Sequence, residues 1–302
     1  MPNDIKDSFL KELDRRFGPL RKLADSQSLF DVGGGAARVY VRYSKIHPGQ
    51  RTFYGLRDLD LRILEGHPSV ICFLWDNQQT PLLVPYSDYE SVFQTVKPAE
   101  DGQFKAQVYP QEQGTELYIA NAGRFNVEDH LGWSTLEQLF AGKGGEKMPD
   151  LSHTQIQTLL GSIGSRKGFD IWVPTVDRGR LDWSCTATFS CCNVLPPAFE
   201  AVQRVLQEID VVWIRRGSGQ IAALFEVEHS TPIYSGLLRF NDVHLTAPTV
   251  KPRFNIVANY ARRDVFASQL SRPTFRLSGL SELCSFLEYA NVFRWHQQLA
   301  VP

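Results

Sequence analysis

The chain has 302 residues, of which 43% are hydrophobic and 22% are charged, and its formal net charge is −1 at pH 7. This length suffices for one large domain or two ordinary ones, and the composition is that of a globular protein. The near-zero charge excludes binding of nucleic acid through overall basicity, so such binding would need local arginine clusters. The sequence has no apolar run of about 18 residues and no signal-like apolar start, so we expect a cytoplasmic protein without a membrane span.

The first half of the chain predicts a β-rich or α+β domain. Apolar residues at helical spacing predict an opening helix over residues 4–25. The glycine loop DVGGG at 31–35 lacks the Gly-Lys-Ser/Thr ending of a phosphate-binding loop, which argues against a nucleotide site there. Residues 36–125 alternate or run apolar as strands do, apart from a predicted short helix at 57–67.

The predicted domain boundary lies in a stretch rich in Gly, Lys and Pro at 141–152, which separates residues 1–145 from residues 150–302. In the first domain, Arg38 and Arg42 lie among several tyrosine and phenylalanine residues. A basic and aromatic surface of this kind is one way to bind nucleic acid, and the amino-terminal domain would then recognise the target. The alternative is that these aromatic residues form the core of the domain.

The second half shows clearer periodicity. The predicted elements are a helix over 152–168, a strand over 169–174, a strand pair with loops within 175–195, a helix over 196–209, strands over 210–216 and 220–229, a helix over 235–244, a strand over 253–260, a helix over 262–271, a short strand over 275–280 and a last helix over 281–299. Ser152 is the candidate N-cap of the first helix. This order predicts an α/β domain with a mixed central sheet flanked by helices.

Three carboxylates gather at the base of the predicted hairpin. If the turn centres on Ser218, Asp210 faces Glu226, and Glu228 projects from the same face of its strand as Glu226. Burying like charges together costs several kcal/mol unless something compensates them. A divalent cation does so well, because hard oxygen ligands suit Mg²⁺. The alternative is a pair of exposed glutamates on an edge strand.

These residues resemble a known active site. Asp210 followed by Glu226-Val227-Glu228 is similar to the motif of the PD-(D/E)xK nuclease superfamily, and the segment FEVEHSTPIYSGLLRFNDV at 225–243 is similar to segments of bacterial restriction endonuclease-like proteins. The resemblance covers about residues 150–290 and implies a restriction-endonuclease-like core. One position departs from the usual pattern, since Glu228 stands where lysine is usual; a minority of enzymes in the superfamily resemble this variant.

The resemblance implies Mg²⁺-dependent hydrolysis of phosphodiester bonds. Asp210 and Glu226 would bind the ion, with the carbonyl of Val227 as a further ligand. Glu228 would orient or deprotonate a water molecule, or bind a second ion.

Two further polar residues receive roles by the same resemblance. Gln157 lies on the helix that lines the active site in the resembling fold, and would contact water or the second shell of the ion; an ordinary surface amide is the alternative. Arg239, in the helix after the motif, is the candidate phosphate contact.

Double-stranded DNA is the implied partner, in a restriction or defence system. Arg178, Arg180 and Tyr234 are candidate DNA contacts, with solvated arginines as the alternative. Cutting both strands usually requires two active sites, so a homodimer is expected. Two other functions stay open: a DNA-binding protein whose nuclease fold has lost activity, and a glycosidase, although glutamates at i and i+2 lie closer than that chemistry needs.

Overall fold

The computed structural model describes residues 2–23, 26–111, 114–141, 149–196, 201–229, 232–247 and 252–299. The chain forms two compact units, residues 1–147 and residues 148–302. Most of the predicted linker, and the start of the helix predicted from residue 196, lie outside the described residues. No helix in the described ranges is long and apolar enough to cross a membrane.

The first unit contains four helices and nine strands among its described residues. These are α1 (Pro2–Phe17), β1 (Leu20–Lys22), β2 (Leu29–Val32), β3 (Ala37–Ser44), β4 (Tyr54–Arg57), α2 (Asp58–Leu64), β5 (Ser69–Trp75), β6 (Leu82–Pro85), α3 (Tyr86–Thr95), β7 (Gln103–Gln111), β8 (Gly114–Ile119), β9 (Gly123–Asn126) and α4 (Ser134–Ala141).

Two sheets organise this unit. A five-stranded sheet has the order β1-β2-β3-β5-β6, and a four-stranded antiparallel sheet has the order β4-β7-β8-β9. The larger sheet is mixed, because β3 and β5 run parallel. One of its faces packs on α1 and α4, and the other on the smaller sheet with α2 and α3, so that two apolar cores form.

The opening helix is shorter than predicted. It ends at Phe17 because Gly18 has a φ of +90°, a left-handed conformation that favours glycine and stops a helix. Residues Leu20–Lys22 then pair antiparallel with β2 instead of continuing the helix. The strands predicted between 36 and 125 are largely present, but residues Tyr86–Thr95 form a helix within that range.

The second unit is a mixed α/β domain. Its described elements are α5 (His153–Arg166), β10 (Phe169–Trp172), α6 (Gln203–Glu208), β11 (Val211–Arg215), β12 (Ile221–Val227), α7 (Ile233–Thr246), β13 (Arg253–Ala258), α8 (Arg263–Leu270), α9 (Pro273–Ser278), α10 (Leu280–Leu283), β14 (Cys284–Glu288) and α11 (Tyr289–Gln298). The strand order is β10-β11-β12-β13-β14.

Helices cover both faces of this second sheet. Helices α5 and α11 pack on one face, and α6, α7, α8 and α9 pack on the other. Strands β10, β11 and β12 are antiparallel, whereas β12, β13 and β14 are parallel. A mixed central sheet flanked by helices is therefore confirmed.

The predicted N-cap of α5 is also confirmed, since Ser152 accepts a hydrogen bond from the backbone N–H of Gln155 in a capping box. This helix lies close to the sheet because of a glycine. A Cβ atom at Gly164 would lie 2.4 Å from Nε1 of Trp213. Close packing of α5 brings its first turn to the end of the β11–β12 hairpin.

Three predicted elements of this unit are wrong. Residues 175–195 form short 3₁₀ turns and one isolated bridge, Ile171 to Cys191, rather than a strand pair. Residues 275–280 are helical. The predicted last helix divides into the end of α10, β14 and α11, because Cys284–Glu288 pairs in parallel with β13. Its apolar residues fit helical spacing equally well, so only the long-range pairing distinguishes the two structures.

Candidate active site

The structure brings the three predicted carboxylates together at the base of the hairpin. Val211 pairs with Phe225, so Asp210 and Glu226 are opposite each other as the predicted register requires. The backbone N–H of Val227 donates a hydrogen bond of 2.6 Å to Oδ2 of Asp210. Toward the turn the predicted register is wrong, because a β-bulge after Trp213 shifts the pairing.

Two of these carboxylates are deeply buried. Glu226 is 1% exposed and Glu228 is 2% exposed. Glu226 lies on β12 and Glu228 directly follows it; β12 is the middle strand of five, so the alternative of an edge strand with exposed glutamates is wrong. The hydrogen bond from the N–H of Val227 keeps the carboxylate of Asp210 beside β12, next to the buried Glu226.

Arg239 on α7 is paired with Glu226 in a bidentate arrangement. Its Nε lies 2.7 Å from Oε1 and its Nη2 lies 2.8 Å from Oε2 of Glu226. The pKa of Glu226 is raised to about 8, mainly by burial and further by Asp210 and Glu228, against the lowering effect of Arg239. For Glu226, the effect of burial therefore outweighs that of its arginine partner.

A glycine allows α7 to approach the carboxylates. A Cβ atom at Gly236 would lie 2.7 Å from Oε1 of Glu228 and 3.2 Å from Cβ of Glu226. Any other residue at this position would displace the side chain of Glu228. The small residue therefore brings the helix that carries Arg239 close enough to reach Glu226.

Helix α5 positions Asp210 from the other side of the sheet. Gln157 is 1% exposed, and its side-chain nitrogen donates to the backbone carbonyl of Asp210 at 3.0 Å. The alternative of a surface amide is therefore wrong. His153, one turn earlier, has Nε2 3.5 Å from Oδ1 of Asp210, and this contact raises the pKa of the histidine. The i, i+4 spacing of these two residues is the sequence signal for this pair.

Two further residues, which follow the carboxyl ends of the parallel strands, lie near the three carboxylates. Arg262, after β13, donates to the backbone carbonyl of Glu228 at 2.7 Å. Tyr289, directly after β14, stacks on His229 with ring centroids 6.2 Å apart. Neither residue was predicted, because the strand pairing that brings them to the hairpin is not visible in the sequence.

The donor set is suited to a hard cation, but its oxygens are already engaged. Within the described ranges, no three His, Cys, Asp or Glu side chains are arranged to hold a metal ion. Arg239 holds both oxygens of Glu226, and Val227 and His153 hold those of Asp210. Carboxylate oxygens of Asp210, Glu226 and Glu228, with the carbonyl of Val227, are the groups that could ligate Mg²⁺.

The predicted contacts to nucleic acid in the first unit have different environments. Arg38 is only 4% exposed and its Nε lies 3.0 Å from Oδ1 of Asp31, so its assignment to a binding surface is wrong.

Arg42 is half-buried and lies near Lys6, whose pKa is lowered by burial and then by Arg42 and Lys22. Lys6 and Lys22 both donate to Gln27, at 2.6 and 2.8 Å. We call Lys6, Lys22 and Arg42 the basic cluster.

In the second unit Arg178 stabilises the structure of a loop. It donates to the carbonyls of Val173 at 3.0 Å and Cys192 at 2.6 Å, and its guanidinium lies 4.9 Å from the ring centroid of Trp172. Arg180 is exposed, with 77% of its side chain accessible and a distant Asp177 partner at 3.9 Å. Arg180 is therefore the better placed of the two for an external ligand.

Tyr234 is half-buried in the packing of α7. Its ring lies 5.7 Å from that of Phe275, and the guanidinium of Arg272 lies 4.5 Å from its centroid. These contacts give Tyr234 a structural environment, and its predicted contact with DNA stays a prediction.

Comparison with known proteins finds one matching family and a curated relative. A Type II restriction enzyme, NmeDI of Neisseria meningitidis serogroup C, is 32% identical over 134 residues, which cover 41% of this chain and 37% of that enzyme. No solved structure matches the chain. The family model described as the Type II restriction enzyme NmeDI C-terminal domain matches residues 138–298. Since that match covers more than half of the chain, the chain belongs to this family.

Proposed function

We propose that this chain is a Mg²⁺-dependent DNA endonuclease of a restriction system, with a PD-(D/E)xK-like site in residues 150–302. The observation that carries the proposal is the burial of Glu226 beside Asp210 and Glu228 at the central hairpin, where the pKa of Glu226 stays raised although Arg239 pairs with it. The family supports the same reaction, because its named member is a restriction enzyme. The antiparallel and parallel strands of one sheet, with α5 before and α7 after the hairpin, support a restriction-endonuclease-like core.

The residues present fit a divalent cation. Burial, and then the neighbouring Asp210 and Glu228, raise the pKa of Glu226 to about 8, and a bound cation would lower it. Asp210, Glu226 and the carbonyl of Val227 would hold Mg²⁺, which, when bound, polarises a phosphate and acidifies a water molecule. Arg239 must release at least one oxygen of Glu226 for this to occur.

The protein's own groups then have distinct tasks. Gln157 and the N–H of Val227 fix the backbone and the carboxylate of Asp210. Glu228, held under Gly236, accepts a hydrogen bond from the attacking water and orients it. Arg239, once released from Glu226, binds the substrate phosphate through its planar guanidinium.

The first unit, proposed as a recognition domain over residues 1–145, contacts double-stranded DNA through the basic cluster. Its three cations lie together although residues 1–149 carry a surplus of acidic residues. Phosphate contacts of this kind position a protein on the duplex without reading its sequence. Arg180 is a further proposed contact. A homodimer would supply one site to each strand.

Digestion of plasmid DNA with Mg²⁺ tests the proposal. The wild type should give discrete fragments, EDTA should stop the reaction, and Glu226→Gln should abolish cutting while DNA binding persists. Glu282→Gln, an exposed glutamate before β14, is the matched control and should cut as the wild type does. A wild type that binds DNA but cuts neither modified nor unmodified plasmid with Mg²⁺ or Mn²⁺ would favour the inactive DNA-binding alternative.

A further inference from the structure

We propose that Tyr289 is a catalytic residue of this site, whose hydroxyl donates a hydrogen bond to the scissile phosphate. The inference rests on the proposed endonuclease function and adds a residue that neither the motif nor the family comparison assigns. Three observations support it: the position of Tyr289, the environment of its hydroxyl, and the contacts that engage Arg262 and His153, two donors near the carboxylates, with protein groups.

The strand register places Tyr289 at the active-site edge of the sheet. Val227 pairs with Val257, and Val257 pairs with Leu287, so β12, β13 and β14 end at the same level. Tyr289 is the first residue beyond β14 and begins α11. Its ring reaches His229, the second residue beyond β12, although β13 lies between the two strands.

The hydroxyl of Tyr289 is buried and has no hydrogen-bond partner among the described residues. The residue is 8% exposed; burial raises its pKa most, Arg262 lowers it, and Asp210 and Glu228 raise it further. A buried hydroxyl without a hydrogen-bond partner destabilises the folded chain. Phenylalanine would fill the same space without that cost, so the hydroxyl at this position indicates a ligand.

Two of the described donors near the carboxylates are engaged with protein groups. Arg262 donates to the carbonyl of Glu228 and His153 contacts Asp210, whereas Arg239 can reach a phosphate only after it releases Glu226. An ionised carboxylate can only accept. A phosphate brought beside these carboxylates needs donors, and the hydroxyl of Tyr289, which burial keeps protonated, supplies one without adding charge.

Tyr289→Phe removes the hydroxyl and keeps the ring. At saturating DNA and Mg²⁺, the single-turnover cleavage rate should fall roughly 10- to 100-fold, with the Kd for DNA and the Tm unchanged or the Tm slightly raised. Tyr118→Phe, a half-buried tyrosine of β8, is the matched control and should cleave at the wild-type rate.

Each other outcome overturns the inference. Cleavage by Tyr289→Phe within about twofold of the wild-type rate, well below the loss expected for a transition-state donor, would mean that the hydroxyl binds a structural water. A lower Tm with a proportionate loss of DNA binding would mean that it serves folding alone. A wild type that cleaves no DNA with Mg²⁺ or Mn²⁺ would remove the proposed function, and the wild-type reaction distinguishes that case from failure of Tyr289 alone.

Discussion

The two units each bury an arginine–carboxylate pair, and the two pairs differ in their charge balance. In the first unit Asp31 is held by Arg38 at 3.0 Å and by Arg21 at 2.6 Å, so two arginines serve one carboxylate. In the second unit Arg239 compensates Glu226, which lies beside the further carboxylates of Asp210 and Glu228. A balanced buried pair is a structural element, whereas an acidic surplus stabilises poorly and is suited to bind a cation.

The largest expected effect comes from changing one acid in each unit. Asp210→Asn should reduce DNA cleavage by about 10³-fold or more, equivalent to roughly 4 kcal/mol, because a proposed metal ligand is removed. Its Tm should stay constant or rise without metal, since the amide oxygen still accepts from Val227 and the acidic surplus falls.

Asp31→Asn should have the opposite effect: it should lower the stability of the protein and leave DNA cleavage unchanged. It leaves Arg38 buried without a full countercharge, which costs about 3–5 kcal/mol of unfolding free energy, while the chemistry in the other unit persists. Denaturant unfolding and single-turnover cleavage, measured on both variants, separate the two effects. A strong loss of stability in Asp210→Asn, with cleavage intact, would contradict the difference between the units.

A substitution of Arg239 tests whether this arginine competes with a metal ion for Glu226 in the second unit. Arg239→Gln removes the cation that competes for both oxygens of Glu226. The affinity for Ca²⁺ or Mn²⁺, measured by calorimetry without DNA, should rise by about tenfold, or 1.4 kcal/mol. Cleavage should fall, because the variant lacks the guanidinium proposed to bind the phosphate. Arg276→Gln, an exposed arginine of α9, is the control, and equal metal affinity in all three proteins would show that Arg239 does not compete.

A smaller effect is the dependence of stability on pH. Burial first, and then the neighbouring carboxylates, raise the pKa of Glu226 from 4.5 to about 8 in the folded chain. The folded state therefore holds this proton more tightly than the unfolded chain does. Its contribution to stability is complete below pH 4.5 and is lost as the pH rises through 8.

Thermal unfolding without metal should thus show a Tm that falls between about pH 5 and pH 8, and Glu226→Gln should weaken this trend. Metal binding near neutral pH should release a proton, which calorimetry in buffers of different ionisation enthalpy measures directly. A wild type and a Glu226→Gln variant with the same pH profile would show that Glu226 is already ionised in the folded chain.

The sequence predicted those parts of the site that depend on local structure. The short connection between β11 and β12 keeps Asp210 and Glu226 opposite each other, although the bulge after Trp213, which shifts the pairing toward the turn, was not predicted. The partner of Arg239 could not be predicted, because an arginine pairs with the nearest buried charge in three dimensions. Tyr289 was hidden for another reason: the apolar run Cys284–Glu288 fits a helix until its parallel partner β13 is known.

The smallest expected effect concerns the basic cluster, which is built from cations rather than from carboxylates. The double variant Lys6→Gln, Arg42→Gln should weaken DNA binding at low salt and reduce the slope of log affinity against log salt by about 0.9 for each phosphate that the variant no longer neutralises. Lys11→Gln, an exposed lysine of the same helix α1, is the matched control. Phosphate contacts carry no base information, so affinity should fall equally for every DNA sequence. An unchanged salt slope would remove the basic cluster from the proposed DNA surface and leave the carboxylates of the second unit unaffected.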